Sequence, residues 1–218
     1  MQSLRDRLRS TPSVTGLAPE WDPDSAPDDP SELFVEWLLH ALDARVTEPL
    51  AATLSTVDES GAPDARVLML KDVTADFRLE IATGGESAKS AQLAHDARCA
   101  MTFYWPAVAR AVRVRGVATR APRDDAATDF LARHPDARAV ALLEKQSTPM
   151  ADPASHEQLI AEQRARMERE PEVVAPDWTL WQVTPTRVEF WQGAPSRDHL
   201  RLQYIREATR WTRRRLWP

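Results

Sequence analysis

Three side chains near the end of the chain, Arg197, His199 and Arg201, could bind a flat, anionic ligand. They are two residues apart, so a strand would direct all three to one face. Two guanidinium groups and an imidazole supply positive charge and hydrogen-bond donors. The alternative is an exposed edge strand with ordinary surface charges. Trp191 adds an indole that could line a ring system or simply pack at a seam between strands.

Two earlier segments could bind a phosphate group. Arg66-Val67-Leu68-Met69-Leu70-Lys71 predicts an apolar strand with a cation at each end. Gly84-Gly85 precedes a predicted helix over 86–94, which contains Ser87 and Lys89. A glycine turn that leads into a helix N-terminus offers free backbone N–H groups to an anion. Alternatively, Ser87 only caps the helix and Lys89 is only solvated.

Composition and charge limit the class of protein. A chain of 218 residues with 43% hydrophobic residues is long enough for one domain with a substantial core. The net charge of −5 argues against a general nucleic-acid binder. The sequence predicts no membrane span, no secretory signal and no metal site. Cys99 is the only cysteine, which excludes an internal disulfide, favours a reducing cytoplasm and predicts a small core residue rather than a nucleophile.

The pattern of apolar residues predicts an arm followed by a small barrel. Residues 1–29 are rich in Pro, Asp and Ser and predict a flexible arm, and residues 30–218 predict a single domain. Asp29 predicts the cap of a helix that begins at Pro30. Short strands are predicted at 51–57, 65–70, 77–82, 99–105, 108–118, 178–183, 187–191, 199–206 and 210–216. Helices are predicted between them at 86–94, 124–133, 137–143 and 153–170. Many short antiparallel strands with few helices indicate a barrel.

In their order and separation, Arg66–Lys71, Lys145-Gln146-Ser147 and Glu189–Arg201 resemble the pyridoxamine 5′-phosphate oxidase family, which includes phenazine-biosynthesis oxidases. The resemblance runs from about Asp29 to Pro218. It implies a mainly β fold with peripheral helices (α+β), the FMN-binding split β-barrel, in a homodimer with flavin sites at the interface. It also implies a cytoplasmic, FMN-dependent oxidoreductase of pyridoxal phosphate biosynthesis, in which hydride passes from a small-molecule substrate to FMN and O2 is the acceptor.

The resemblance implies a role for each candidate residue. Arg66, Thr83 and Lys89 hold the FMN phosphate, whereas Gln146 and Ser147 reach the flavin of the partner subunit. The full set of implied cofactor-binding residues is Arg66, Val67, Leu68, Met69, Leu70, Lys71, Ala82, Thr83, Ser87, Lys89, Gln146, Ser147, Trp191 and Arg201. Arg197 and His199 are the implied catalytic residues, and the implied substrate-binding set is Lys71, Asp129, Arg133, Arg197 and His199.

On the cofactor side, two positions depart from the family pattern. Ala88 stands where the family commonly has arginine, and the loss of one charge-assisted hydrogen bond costs roughly 1.5–3 kcal/mol. Ala111 stands where a glutamine usually contacts the flavin. Arg110 or Arg113 could compensate for that loss.

On the substrate side, Asp129 and Ala137 stand where the family has a tyrosine and a serine that grip the substrate phosphate. An aspartate repels a phosphate group. A phenazine-type oxidase that acts on a non-phosphorylated ring is therefore one alternative to a vitamer phosphate oxidase. A second alternative, which Ala88 and Ala111 suggest, is a flavin-binding or flavin-free protein without turnover.

Overall fold

The computed structural model describes residues 2–150 and 152–218, and the first residue of the predicted arm, Met1, lies outside the described residues, as does Ala151. Within these ranges, the α-helices are α1 (Leu4–Ser10), α2 (Pro30–Asp43), α3 (Ala88–His95), α4 (Arg123–Leu131), α5 (Pro135–Ala141) and α6 (His156–Arg169). The strands are β1 (Ala51–Val57), β2 (Pro63–Val73), β3 (Leu79–Gly84), β4 (Arg98–Trp105), β5 (Arg110–Arg120), β6 (Trp178–Gln192), β7 (Leu200–Glu207) and β8 (Arg210–Arg215).

The strands form one sheet in the order β3-β2-β1-β4-β5-β6-β7-β8. Strand β3 also pairs antiparallel with β6, from Leu79 opposite Val183 to Gly84 opposite Trp178. This extra ladder closes six strands into a barrel, because β3 and β6 are the two edges of that part of the sheet. Closure satisfies the backbone groups that open edges would leave unpaired. The predicted barrel is confirmed.

The one strand that the sequence divides wrongly is β6, which is continuous where two strands are predicted. Pro185 suggests a break because it has no N–H to donate. In the structure Pro185 lies between the part of β6 that pairs with β3 and the part that pairs with β7. The missing donor therefore breaks neither of these two ladders, and the strand continues through it.

The chain divides into two compact units, where the sequence predicts one domain over 30–218. The first unit contains residues 2–52, 101–114 and 186–218, and the second contains residues 53–100 and 115–185. Strands β1, β4, β5 and β6 each contribute residues to both units. No stretch of linker sequence separates the units, since the division falls within strands.

An aromatic cluster forms the core of the first unit. Trp37 of α2 is fully buried, and its ring lies edge-on to Phe190 and to Trp21, with centroids 5.2 and 4.9 Å away. Helix α2 begins as predicted, because the Asp29 carboxylate accepts a hydrogen bond from Ser31 N at 2.8 Å. The cluster thus fixes α2 and the segment that precedes it against the strands of this unit.

The N-terminal arm contains local structure and contacts the rest of the first unit. Its proline-rich part has carbonyls that need donors. Gln192 Nε2 donates to Pro19 O at 2.9 Å, and the Tyr204 hydroxyl donates to Pro27 O at 2.7 Å. Helix α1, by contrast, has no buried residue. The predicted flexibility of the arm stays a prediction.

In the second unit, helix α4 packs on the start of β6. Phe130 is fully buried and lies edge-on to Trp178, with ring centroids 5.5 Å apart. Leu142 and Leu180 complete this cluster. The packing fixes the helix face that carries Asp129, one residue before Phe130 in the chain.

Candidate cofactor and substrate site

A cavity of about 830 Å³ opens in the second unit, lined by β2, β3, α3, α5 and the loops that follow α4 and α5. It brings together most of the cofactor residues expected in this unit, namely Arg66, Val67, Leu68, Met69, Lys71, Ala82, Thr83, Lys89, Gln146 and Ser147. Leu70 is 4% exposed, and its buried position on β2 puts it outside the described cavity lining. The loops and strands therefore assemble a basic cavity around segments that are distant in sequence.

Arg66 is held in place by four contacts with its own unit. Its Nη1 donates to Thr56 Oγ1 and to Leu54 O, and its Nη2 donates to Gln92 Oε1 at 2.9 Å and pairs with Asp64. Within the described residues, these contacts use the Nη protons and leave the Nε–H for a ligand. These four partners were not predicted, because nothing in the spacing of the sequence indicates that they contact Arg66.

Lys89 supplies a second cation at the same end of the cavity. Its Nζ donates to Thr83 Oγ1 at 3.2 Å, and Thr83 Oγ1 lies 3.0 Å from Ser87 Oγ. Burial lowers the pKa of Lys89, and the charge of Arg66 lowers it further, because both disfavour the ammonium form. An anion between these two cations would offset both effects. The residues present therefore fit a bound phosphate group.

Ser87 has the structural role that the sequence left as an alternative. It is the N-cap of α3, and its Oγ accepts a hydrogen bond from Ser90 N at 3.3 Å. Ser87 is fully buried and lies outside the described lining of the cavity. A direct contact of this hydroxyl with FMN stays a prediction.

Gln146 lies at the same end of the cavity. Its Oε1 accepts from Thr83 Oγ1 at 2.9 Å and from Gly84 N at 3.1 Å. Gly84 permits this approach, since a Cβ there would lie only 3.3 Å from Gln146 Oε1. Ser147 lines the cavity with a φ of 68°, in the left-handed region. The reach of both residues to the flavin of a partner subunit stays a prediction.

On the substrate side, Asp129 is paired rather than isolated. Its Oδ1 lies 3.5 Å from Lys71 Nζ, and its Oδ2 accepts a hydrogen bond from Trp178 Nε1 at 3.0 Å. The Arg133 guanidinium lies 4.3 Å from the Trp178 ring centroid. Burial lowers the pKa of Arg133, and the charge of Asp129 partly opposes that effect. These four side chains form one charged cluster, in which Lys71 and Arg133 line the cavity.

The first unit holds the remaining candidates. The rings of Trp191 and His199 lie with centroids 4.9 Å apart, at an interplanar angle of 52°. His199 Nδ1 accepts a hydrogen bond from Ala194 N at 3.0 Å. Because a backbone N–H can only donate, Nδ1 is unprotonated and Nε2 carries the proton of the neutral imidazole. His199 is thereby positioned to donate a hydrogen bond through Nε2.

The prediction that Arg197 and the two basic residues after it share one strand face is wrong. Strand β7 begins only at Leu200. Arg197 lies in a turn closed by its own N–H onto Ala194 O at 3.0 Å, with a φ of 71°. Strand alternation does not apply in such a turn. The guanidinium instead donates from Nη2 to Ser13 Oγ of the N-terminal arm at 2.9 Å.

Arg201 is anchored by a buried carboxylate that the sequence analysis missed. Glu189 is 6% exposed, and its Oε1 accepts from Arg201 Nε at 3.1 Å and from Arg201 Nη2 at 2.6 Å. Its Oε2 accepts from Arg113. Arg110 is buried 4.1 Å above the Trp37 ring. Both arginines considered as substitutes for a glutamine at position 111 thus have partners inside their own unit.

Cys99 is a buried core residue, as predicted. It is 9% exposed, and burial, followed by the charge of Asp96, raises the pKa of its thiol to about 12. Among the described residues, no cluster of three His, Cys, Asp or Glu side chains could hold a metal ion. Within the same residues, no helix is long and apolar enough to cross a membrane.

Comparison of the sequence with family profiles gives two matches. The profile described as pyridoxamine 5′-phosphate oxidase matches residues 38–192, and the one described as pyridoxine 5′-phosphate oxidase C-terminal dimerisation region matches residues 178–218. The pyridoxine/pyridoxamine 5′-phosphate oxidase of Pseudomonas paraeruginosa is 37% identical over 219 residues, which cover 100% of this chain and 99% of the relative. The enzyme of that name from Rhodopseudomonas palustris is 38% identical over 201 residues, 89% of this chain and 92% of the relative.

Among solved structures, PhzG from Burkholderia lata 383, in complex with tetrahydrophenazine-1-carboxylic acid, superposes with a TM-score of 0.85. It is 26% identical, and the match covers 95% of this chain and 100% of that chain. The resemblance seen in the sequence is confirmed, together with the fold class that it implies. This chain therefore belongs to the pyridoxamine 5′-phosphate oxidase family, and it is an FMN-dependent oxidoreductase.

Proposed function

We propose that the chain is an oxidase that transfers a hydride from a flat ring substrate to FMN, with O2 as the final acceptor. The first candidate substrate is pyridoxine or pyridoxamine 5′-phosphate, the substrate named for the curated relatives. The observation that carries the proposal is the pair of cations Arg66 and Lys89 at one end of the basic cavity. When bound, FMN supplies the redox chemistry, taking a hydride from the substrate and passing two electrons to O2, which becomes hydrogen peroxide.

The protein's own residues bind the FMN phosphate in this proposal. Lys89 has two ammonium protons beyond the one that it gives to Thr83, and both can be donated to phosphate oxygens. Arg66 adds its charge and its Nε–H, and its other contacts fix the guanidinium before the ligand arrives. Preorganised, charge-assisted hydrogen bonds of this kind are stronger than neutral ones. Ala88, which also lines the cavity, adds no donor of its own.

His199 and Arg197 act on the substrate in this proposal. His199 Nε2 holds the proton that can be donated to a substrate heteroatom, because Nδ1 is fixed as an acceptor. Packing of the imidazole against Trp191 keeps its ring plane in one orientation. Arg197 adds an exposed positive charge, and its guanidinium donates a hydrogen bond to Ser13 of the N-terminal arm. Together the two side chains orient a substrate ring and hold a proton at a defined atom.

We also propose that the chain works as a homodimer. The match of residues 178–218 to a dimerisation region supports this, and that segment contains Trp191, Arg197, His199 and Arg201. The oligomeric state is measured by light scattering on the purified, FMN-loaded protein. A mass near twice 24.5 kDa is the expected result.

A second candidate is a phenazine-type oxidase that acts on a non-phosphorylated ring. The ion pair between Asp129 and Lys71 favours it, because Lys71 is then only partly available to a substrate phosphate. Ala137 also lines the cavity without the hydroxyl of a serine. The PhzG structure, which contains tetrahydrophenazine-1-carboxylic acid, supports the same candidate.

The experiment is an oxygen-dependent turnover assay with FMN-loaded protein. With pyridoxamine 5′-phosphate, water and O2, the first candidate gives pyridoxal phosphate, ammonia and hydrogen peroxide in equal amounts. Lys89→Met is the matched variant that should lose FMN and activity together. Absence of product above a boiled control rules out the vitamer substrate. If no ring substrate bleaches the bound flavin under nitrogen, the protein binds FMN without turnover and the oxidase proposal fails.

A further inference from the structure

We propose that Asp129 is a specificity-determining residue, which makes the substrate site disfavour a phosphate dianion and favour a group with a single negative charge. The inference rests on the proposed function, since it concerns the substrate of the same site. Three observations support it: the two contacts that fix the Asp129 carboxylate, the net charge of the cluster that it forms with Lys71 and Arg133, and the residues that line the adjoining cavity.

The Asp129 carboxylate is fixed from two sides. Its side chain is 14% exposed, with Oδ1 at 3.5 Å from Lys71 Nζ and Oδ2 accepting from Trp178 Nε1 at 3.0 Å. Trp178 is itself buried and packed edge-on against Phe130. The carboxylate cannot turn without losing the indole hydrogen bond, and it acts on the cavity through Lys71 and Arg133, which line it, whereas Asp129 lies outside the described lining. These two contacts keep the carboxylate beside Lys71.

The charges of this cluster sum to a single positive charge. Lys71 and Arg133 contribute one each, and Asp129 removes one. A phosphate dianion at this place meets only half of the positive charge that it requires, whereas a carboxylate is matched. Arg133 presents a planar guanidinium, which suits a carboxylate through two parallel hydrogen bonds. The stacking of Arg133 on Trp178 fixes the plane of the guanidinium group.

The neutral surroundings do not compensate for the missing charge. Ala132 and Ala137 line the cavity next to Arg133, and neither has a side-chain donor for a phosphate oxygen. His134 also lines it, and its Nδ1 lies 3.6 Å from an oxygen of Asp136. Among the described residues of the lining, Asp64 is the one carboxylate, and it pairs with Arg66. Asp129 is thus the acidic group that decides the charge balance at Lys71 and Arg133.

The test compares two ligands that differ only in the phosphate group. We choose 4-deoxypyridoxine and its 5′-phosphate, because neither has the group that the enzyme would oxidise. Their dissociation constants are measured by calorimetry with FMN-loaded protein, and the ratio gives the preference for phosphate. The wild-type ratio is expected to stay below about ten-fold, and Asp129→Asn should raise it by about ten-fold or more. Asp129→Tyr, a second variant, should raise it in the same direction.

Asp125→Asn is the matched control, because Asp125 is an exposed residue of the same helix and loses the same charge. Its ratio should equal that of the wild type within about two-fold. A wild-type preference for the phosphate above about a hundred-fold overturns the inference, whatever the variants do. So does an unchanged ratio in an Asp129 variant that still folds, or an equal rise in Asp125→Asn. In the Lys71→Met background, Asp129→Asn should raise the binding ratio less, because the lysine that the substitution would free is absent.

The binding test of Asp129 and the turnover test of the proposed function can fail independently of each other. The binding ratio does not depend on turnover, so an enzyme that oxidises neither vitamer can still show the Asp129 effect. Conversely, a protein that produces pyridoxal phosphate in air while Asp129→Asn leaves the ratio unchanged supports the oxidase and refutes the role of Asp129.

Discussion

The carboxylate of Glu189 lies directly on the guanidinium of Arg201, with one oxygen accepting from Nε at 3.1 Å and from Nη2 at 2.6 Å. The second oxygen accepts from Arg113. Glu189 is almost fully buried, so its charge is tolerated only because both arginines neutralise it. This buried carboxylate is the anchor that fixes Arg201 next to its cross-strand partner Trp191.

We therefore expect Glu189→Gln to destabilise the protein by about 2 kcal/mol, because the three charged hydrogen bonds to Glu189 are weakened or lost and both Arg201 and Arg113 lose their counter-charge. Urea unfolding followed by tryptophan fluorescence measures the change. Glu59→Gln, in the exposed hairpin turn between β1 and β2, is the control and should stay within about 0.5 kcal/mol of the wild type. A Glu189→Gln variant as stable as the control would show that the pair contributes little.

In the proposed cofactor site, Asp64 should compete with the FMN phosphate for Arg66. Its carboxylate pairs with the Arg66 guanidinium and accepts from Gln92 Nε2 at 3.1 Å. Asp64→Asn keeps an acceptor for Gln92 but removes the competing charge, so FMN should bind roughly two- to five-fold more tightly. Flavin fluorescence titration measures the affinity, with Asp72→Asn on the same strand as the control. Weaker FMN binding by Asp64→Asn would mean that Asp64 positions Arg66 instead of competing for it.

FMN affinity should fall at alkaline pH because of Lys89. Burial and the neighbouring charge of Arg66 lower the pKa of Lys89 below its ordinary 10.5 in the ligand-free protein. Only the charged ammonium attracts phosphate, so affinity is present below this lowered pKa and is lost as the pH rises through it. Lys89→Arg stays charged throughout.

The measurement is the FMN dissociation constant between about pH 7 and about pH 10 for the wild type and for Lys89→Arg. The wild-type affinity should decline over the upper part of this range while that of the arginine variant holds. Parallel curves for the two proteins would contradict a role for the charge of Lys89.

Cys99 should be inert in the native state. It is the only cysteine of the chain, and burial raises the pKa of its thiol to about 12. The thiolate needed for alkylation is therefore scarce, and reagents cannot reach it. Iodoacetamide followed by mass spectrometry should label the unfolded chain fully and the native chain very slowly. Rapid labelling of the folded protein would place Cys99 at the surface.

The sequence predicted those parts of the fold that local patterns determine. Period-two alternation located β1 at its observed bounds, and Asp29 with Pro30 marked the start of α2. The same rule failed at Arg197, where a turn with positive φ interrupts the alternation just before β7. A break was also predicted within β6, because the position of Pro185 between two ladders is a tertiary property that the sequence does not show.

The candidate site was predicted in part, since Arg66, Lys89 and Gln146 do meet at one cavity. The partners that fix these residues were missed. Gln92 of α3 lies 26 residues from Arg66 in the chain, and Glu189 lies 76 residues from Arg113 on the neighbouring strand, so only the tertiary fold brings the members of each pair together. Asp129 was expected to repel a substrate phosphate, and its hydrogen bond with Trp178 could not be predicted from the sequence.

The central claim is that the cations Arg66 and Lys89 bind the phosphate group of FMN, and a comparison of FMN with riboflavin tests it most directly. The two ligands share the ring system and differ in the phosphate. Fluorescence titration of the purified apoprotein should show saturable FMN binding, with riboflavin weaker by about a hundred-fold. Lys89→Met should remove most of that difference. Equal binding of the two flavins, or a protein that binds neither, would contradict the account.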